Sequence, residues 1–222
     1  MVAASRLRVL WFRLRTKPSL PPAIMTCCAL LFVMTKTDAA SNAPADATFF
    51  LMGADPPDLY WTTPLVVSPA AMKYLEELPS APKEGADRLA YFQPLLNDAD
   101  PFIANDSYDE FAKAPYEDVQ NLKDRMDREQ LLRWINDPKV DTAHRRLFLT
   151  MLGICGTKED GRALAERIFS VHEQPDRSLD AAIACYLTLL GEEGLDQIDE
   201  RLLKNPDASF ADTYSAILAL RF

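Results

Sequence analysis

The nine residues FLTMLGICG, Phe148 to Gly156, return 38 positions later as YLTLLGEEG, Tyr186 to Gly194. Five of the nine positions are identical, and the exchanges Phe148/Tyr186 and Met151/Leu189 are conservative. Repeats of roughly 34 to 47 residues built from helical patterns are typical of α-solenoids. The repeated segment therefore predicts an array of helical repeats.

Helical patterns continue on both sides of this segment, from Ser68 to the last residue. Apolar residues recur at helical spacing, and Ser68 followed by Pro69 is a strong helix start. No stretch alternates with period two for long enough to indicate a sheet. We therefore predict an all-α fold of about ten short paired helices stacked as an α-solenoid, with a compact irregular bundle as the alternative. The predicted helices begin near Ser68, Gly85, Asp100, Pro115, Asp127, Asp141, Lys158, Ser178, Gly194 and Ser209.

Residues 1–40 have the pattern of an export signal. They hold six basic residues and one acidic residue, and Ala23 to Met34 is a continuous apolar run. A run this short does not span a bilayer, for which about 20 residues are needed. Small residues follow, and Thr37-Asp38-Ala39 offers a cleavage pattern, so we predict a periplasmic or cell-envelope protein. An uncleaved anchor or a wrongly assigned start are the alternatives. Cys27 and Cys28 lie inside the run, so lipidation is not expected.

Residues 41–67 differ from the helical part in composition. Ser41 to Thr48 reads as a linker, and Thr48 to Val67 is apolar and aromatic but interrupted by three prolines, which forbid a continuous helix. We predict an extended, proline-rich arm that packs along the first helices of a domain over residues 68–222. An exposed binding surface is the alternative. The anchoring residues are expected to be Phe49, Phe50, Leu51, Tyr60 and Trp61.

Charge and composition limit the classes of function. The 222 residues are 48% hydrophobic, enough to bury a sizeable core, and the net charge is −9. Residues 41–222 carry 32 acidic and 18 basic side chains. A surface this acidic repels phosphate backbones, so nucleic-acid binding is not expected.

Few residues in the chain suggest chemistry. The two histidines, His144 and His172, lack the spacing of metal ligands, and we interpret His144 as a surface residue at a helix start. Cys155 and Cys185 are either a disulfide or two small buried residues. The acidic pairs are explained by a solvated face, and the glycines are expected at helix ends rather than in a phosphate-binding loop. The sequence thus predicts no catalytic, cofactor-binding or metal-binding residue and no cofactor. The Asn105 glycosylation pattern is discounted because it falls in a predicted helix.

The predicted core centres on the repeat. Its expected members are Leu149, Leu152, Leu187, Leu190, Phe111, Trp134 and Ile168. Leu187→Ala is expected to cost about 2–5 kcal/mol. The last helix carries apolar Tyr214, Ile217, Leu218 and Phe222 without a polar end. This pattern predicts either self-association through that helix or a fragment of a longer protein.

The segment DPFIANDSYDEFAKAP, Asp100 to Pro115, resembles the second half of a HEAT-type repeat. Together with MGADPPDLYWTTPL, YDEFAKAPYEDV, LTMLGICG and CYLTLLGEEGLD, it makes residues 49–222 resemble uncharacterised exported HEAT-like proteins of planctomycete-type bacteria. The resemblance implies a right-handed helical array with a protein-binding or scaffolding role, and it brings no catalytic residues. The function expected is a non-enzymatic binding module in the cell envelope. A structural piece of a larger exported protein and a hydrolytic or metal-dependent enzyme using acids and His144 are the alternatives.

Overall fold

The computed structural model describes residues 12–13, 28–32, 48–54, 60–61, 63, 65–170 and 177–221. The chain divides into two compact units. The first comprises residues 1–81 with 100–103, and the second comprises residues 82–99 with 104–222. Helices dominate the described residues, which confirms the helical class predicted from the sequence.

Ten α-helices occur in the part of the chain that the structure describes, as predicted. Short 3-10 turns follow three of them at Leu78–Ser80, Gln93–Leu95 and Lys123–Arg125, and a π-helical turn, Asp199–Leu203, follows another. The helices are α1 (Pro69–Glu77), α2 (Gly85–Phe92), α3 (Pro101–Lys113), α4 (Tyr116–Gln120), α5 (Arg128–Asn136), α6 (Thr142–Cys155), α7 (Lys158–Phe169), α8 (Leu179–Leu190), α9 (Glu192–Ile198) and α10 (Phe210–Ala219).

Several helix starts are fixed by side-chain caps, which supply acceptors to the free amides of the first turn. The Ala71 amide donates to Ser68 Oγ over 3.0 Å, and the Gln130 amide donates to Asp127 Oδ1 over 2.9 Å. Asp141 accepts from two amides at the start of α6. The caps Ser68 and Asp127 were predicted from the sequence and are confirmed, and of the two candidates Asp141 and Thr142 for the cap of α6 the structure has Asp141.

The first unit contains a small antiparallel sheet. Its strands are β1 (Phe12–Arg13), β2 (Cys28–Phe32), β3 (Thr48–Ala54), β4 (Tyr60–Trp61) and β5 (Leu65–Val67). The strand β3 pairs with β2 and also with β4 and β5, and β1 pairs with β2. The prediction of no sheet is therefore wrong, because the described residues of the predicted arm, apart from residue 63, form paired strands. These strands are two to seven residues long and consist mostly of apolar and aromatic residues, which favour strands.

The buried residues of the first unit come from the sheet, α1 and residues 100–103. Phe49, Phe50 and Val67 are buried, as are Ala71, Tyr74 and Leu75 of α1. The rings of Phe50 and Phe102 meet edge to face with centroids 6.0 Å apart. Ser68 Oγ also donates to the Asp100 carboxylate, whose other oxygen accepts from the Phe102 amide. Strand β2 lies within the apolar run of the predicted export signal, and export stays a prediction.

The core of the second unit is built around α6. This helix packs against α5 and α8, and α8 also packs against α7 and α10. The predicted core residues Phe111, Leu149, Leu152, Ile168 and Leu190 are buried, which confirms them. The other two predictions are wrong, because Trp134 and Leu187 are only half-buried. Trp134 covers the Phe148 ring at a centroid distance of 4.8 Å.

The two copies of the repeat share a conformation only in their first half. Gly153 continues α6 to Cys155, whereas its counterpart Gly191 has a φ of +60° and separates α8 from α9. Two glutamates follow Gly191, and acidic side chains in a first turn favour a new helix start. Of the two glycines expected to end α6, Gly156 is its C-cap, as predicted, whereas the expectation fails at Gly153. It also fails at Gly161 inside α7, where an added Cβ would lie 3.0 Å from Leu190 Cγ.

Candidate functional site

The second unit has a groove of about 850 Å³ on one side of α6 and α8. Helices α3, α4, α6 and α8 and the end of α10 contribute its lining. The lining residues are mostly apolar or small: Tyr108, Ala112, Tyr116, Ala143, Arg146, Leu147, Leu149, Thr150, Gly153, Asp180, Ala181, Ala184, Cys185, Leu187, Thr188, Ala219 and Leu220. We refer to this set as the groove.

The sequence repeat contributes matching residues to the groove. Thr150 of α6 donates its hydroxyl to the Arg146 carbonyl over 3.0 Å, and Thr188 of α8 donates to the Ala184 carbonyl over 2.8 Å. Both threonines are exposed and occupy the same repeat position. Since each hydroxyl proton is used within its own helix, each threonine offers a ligand its methyl group and its acceptor lone pairs. The repeat therefore places equivalent threonines on this surface, although the sequence alone did not indicate that they line a groove.

Small side chains keep the groove open. Five alanines and Gly153 line it, and a Cβ added at Gly153 would lie 3.8 Å from Cys185 Cα. The backbones of α6 and α8 therefore approach closely at this point. Leu147 and Leu187 are half-buried there, and Leu220 is 44% exposed. The result is a concave, largely apolar surface of the kind that binds ligands or peptide segments.

One ion pair supplies the charge of the groove. Arg146 of α6 donates Nη1 to Asp180 Oδ1 over 2.5 Å and Nη2 to Oδ2 over 2.7 Å. This bidentate hydrogen bonding raises the pKa of Arg146, although partial burial opposes it. The Asp180 side chain is 14% exposed and that of Arg146 is 42% exposed. The two charges compensate each other, so this pair gives the groove no net charge.

His144 is not the surface residue that the sequence indicated. It is 5% exposed, and its ring lies against Tyr108 at a centroid distance of 4.9 Å. Its Nδ1 lies 2.5 Å from Asp141 Oδ2, although the approach is not aligned as a hydrogen bond, and its Nε2 lies 3.3 Å from the Ala104 carbonyl oxygen. Protein oxygens therefore contact both ring nitrogens, and His144 does not line the groove.

The carboxylate beside His144 is the N-cap of α6. Burial raises the pKa of Asp141, but hydrogen bonds from the His144 and Ala143 amides and the nearby imidazole outweigh it, so the pKa lies below its ordinary value. This arrangement holds the start of α6 against Ala104 of α3. His172, the other histidine considered, lies outside the described residues.

Both cysteines of the helical part are free thiols. Cys185 is buried, and desolvation raises its pKa to about 12. Burial likewise raises the pKa of Cys155, which is half-buried. A thiol is a nucleophile only as the thiolate, so neither residue is activated. Of the two alternatives considered for this pair, the structure has the unbridged one.

Within the described ranges, no three His, Cys, Asp or Glu side chains converge in a way that would hold a metal ion. None of the helices described combines the length and the apolar character that a membrane crossing requires. Asn105 lies in α3, as the sequence predicted.

The chain matches no protein-family model, no curated protein and no solved structure. The resemblance to exported HEAT-like proteins therefore stays a prediction. Sequence reasoning also missed Tyr108, Arg146 and Asp180 as site residues, because only the packing of α3, α6 and α8 brings them together.

Proposed function

We propose that this protein is a non-enzymatic binding module that holds an amphipathic helix of a partner protein in the groove. The main support for this proposal is the size and lining of the groove, which has a volume of about 850 Å³ between apolar and small side chains of several helices. A helix of this kind lays its apolar face into such a groove through residues spaced three or four apart. The exposed apolar atoms of the groove would otherwise face water at a cost.

The charges of the groove and of the whole chain indicate which charges the partner helix carries. The ion pair of Arg146 and Asp180 is internally compensated, so the face of the partner that enters the groove is expected to be uncharged. The chain as a whole has a net charge of −9 and a pI near 4.8. A partner helix with basic residues on its outer face would approach faster and bind more specifically than an acidic one. We therefore expect a partner helix whose inner face is apolar and whose outer face is basic.

The proposal includes a HEAT-like arrangement of the helices from α6 to α10. Its supports are the repeated segment on α6 and α8 and the direct packing of α6 on α8 and of α8 on α10. In such arrays one layer of helices forms a continuous binding surface. A hydrolytic role is not proposed, because both nitrogens of His144 contact protein oxygens and the thiols are not activated.

The binding proposal is tested with a fluorescent synthetic helix of about five turns, or roughly 18 residues. It carries leucine and alanine on one face and lysine on the other, and a scrambled peptide of the same composition is the reference. We expect the full-length protein to bind the amphipathic peptide at least tenfold more tightly than the scrambled peptide in fluorescence anisotropy. Equal binding of the two peptides would contradict the proposal.

A matched pair of variants locates the binding surface. Ala112 and Ala163 are both exposed helical alanines, but only Ala112 lines the groove. Ala112→Arg adds bulk and a positive charge where the partner helix would lie, so we expect it to weaken binding at least tenfold. Ala163→Arg, on α7, should leave binding unchanged. If the two variants behave alike, the groove is not the binding site.

A further inference from the structure

Helix α10 buries small side chains and exposes large apolar ones. The residues that it buries are small, Ala216 at 0% and Ala219 at 5% exposure. Leu218 is half-buried, but four other large apolar residues face outward: Phe210 is 84% exposed, Tyr214 51%, Ile217 49% and, just past the end of the helix, Leu220 44%. These four positions follow the spacing i, i+4, i+7 and i+10, which places them along one side of a helix. We call them the α10 stripe.

An exposed apolar stripe of this kind marks an interaction surface, because large side chains in water are unfavourable. We propose that the α10 stripe binds a second copy of this chain, with the two α10 helices antiparallel across a twofold axis. This inference concerns a different set of residues from the groove, apart from Leu220 at its edge, and it stands independently of the proposed function.

The composition of the stripe is self-complementary in the antiparallel direction. Its N-terminal half is aromatic, with Phe210 and Tyr214 stacked at a centroid distance of 5.8 Å and an interplanar angle of 14°. Its C-terminal half is aliphatic, with Ile217 and Leu220. Antiparallel pairing therefore places the aromatic half of each copy on the aliphatic half of the other. A twofold interface requires this kind of match between a surface and itself.

The charge near the stripe does not oppose a second copy at this position. The chain has a net charge of −9, so two copies repel each other across most faces. Residues 209–221 contain one acidic residue, Asp212, and one basic residue, Arg221. Helical spacing puts Arg221 on the same side as the stripe, next to Phe210 of the opposite copy in the antiparallel arrangement. An arginine over an aromatic ring is an attractive contact.

The area that the stripe can bury indicates which class of interface the dimer belongs to. With side chains of about 200 Å² each, the four exposures correspond to about 450 Å² per copy, or about 900 Å² for the pair. Stable interfaces bury about 1,200–2,000 Å², and smaller ones belong to weak or transient complexes. We therefore expect a dimer that forms and dissociates with concentration.

The test is sedimentation velocity of the full-length chain from micromolar to near-millimolar concentration. The unmodified protein should move from a mass near 24.9 kDa to twice that value. Phe210→Glu should weaken the dimer at least tenfold, while Leu195→Glu, at a similarly apolar position of α9 that is 43% exposed, should not. Because both residues are exposed, both variants are expected to fold, and circular dichroism checks this.

A pair of substitutions of opposite charge tests whether the two α10 helices are antiparallel. Antiparallel helices place Tyr214 of one copy beside Ile217 of the other, so Tyr214→Glu and Ile217→Lys should each weaken the dimer and the double variant should restore it. A chain that remains monomeric throughout, or a dimer insensitive to Phe210→Glu, would overturn the proposal. A double variant that stays monomeric would overturn the antiparallel arrangement.

Discussion

Three consecutive polar residues at the start of α6, residues 144–146, each contact a different part of the protein. His144 contacts Asp141 and Ala104, and Arg146 pairs with Asp180 at the groove. Arg145 donates to three carbonyl oxygens, those of Ile135 at 3.1 Å, Asp137 at 2.7 Å and Val140 at 2.9 Å. Successive residues of a helix point about 100° apart, so neighbours in sequence meet different surroundings. The sequence indicated only that His144 is a surface residue, and the packing gave each of the three residues a separate role.

The role of Arg145 predicts a stability effect at the residue scale. Its guanidinium holds the chain between α5 and α6, and the carbonyls that it satisfies are the last acceptors of α5 and the connection. Arg145→Lys keeps the charge but loses the fork of donors, so we expect a loss of about 1–3 kcal/mol in the free energy of unfolding. Urea denaturation measures it.

The matched control for this prediction is Arg133→Lys, at an exposed position on α5. Surface substitutions of this kind change stability by less than about 0.5 kcal/mol. Similar losses in both variants would show that Arg145 does not hold the connection as described.

At the scale of elements, the sequence repeat gives two helices with the same residues but different surroundings. Leu149 of α6 is 0% exposed, whereas Leu187, its counterpart in α8, is half-buried in the groove. Both helices pack against several neighbours, α6 against α5 and α8, and α8 against α6, α7 and α10, so the difference depends on the face of the helix on which each leucine lies. Identical residues at equivalent positions therefore contribute differently to the core.

This difference revises the stability expected for the repeat. Leu149→Ala should cost about 2–5 kcal/mol, as full burial implies. Leu187→Ala should cost less, about 1–2 kcal/mol, since less apolar area is lost from the interior. Chemical denaturation of both variants measures the difference, and equal losses would contradict it. Leu187→Ala should in addition weaken binding of the amphipathic peptide, because it removes an apolar contact from the groove.

At the scale of the whole chain, residues 28–32 have two interpretations. They are a strand of the sheet in the first unit, but they also lie in the predicted export signal, which cleavage would remove. Strand β2, Cys28–Phe32, pairs with β3 over five residue pairs. Export would remove this segment with the rest of residues 1–40. Strand β3 would then keep β4 and β5 as its partners. The processing of the chain therefore decides how many strands the first unit has.

We propose that the protein is exported to the cell envelope, on the support of the basic start and the apolar run Ala23 to Met34. The expected result is a mature chain in the envelope fraction that begins near Ser41, measured by N-terminal sequencing and intact mass. A chain that retains Cys28–Phe32 and stays in the cytoplasm would contradict export.

The sequence by itself determined the helices of this protein and several of their starts. Helical spacing of apolar residues and caps such as Ser68, Asp127 and Asp141 act within one or two turns, so they can be read locally. It did not reveal the sheet, because strands of a few residues have too little periodic signal and are stabilised by partners distant in sequence.

The groove was decided only by the tertiary structure. The sequence indicated self-association through the last helix, but which residues form the α10 stripe was decided by packing. Tyr108, Arg146 and Asp180 come from three helices, and no spacing in the sequence links them. On α10 the sequence shows large and small apolar residues together, and only packing against α8 determines that the small ones are buried. Burial depends on which surfaces meet, and that is a property of the assembled fold rather than of any segment.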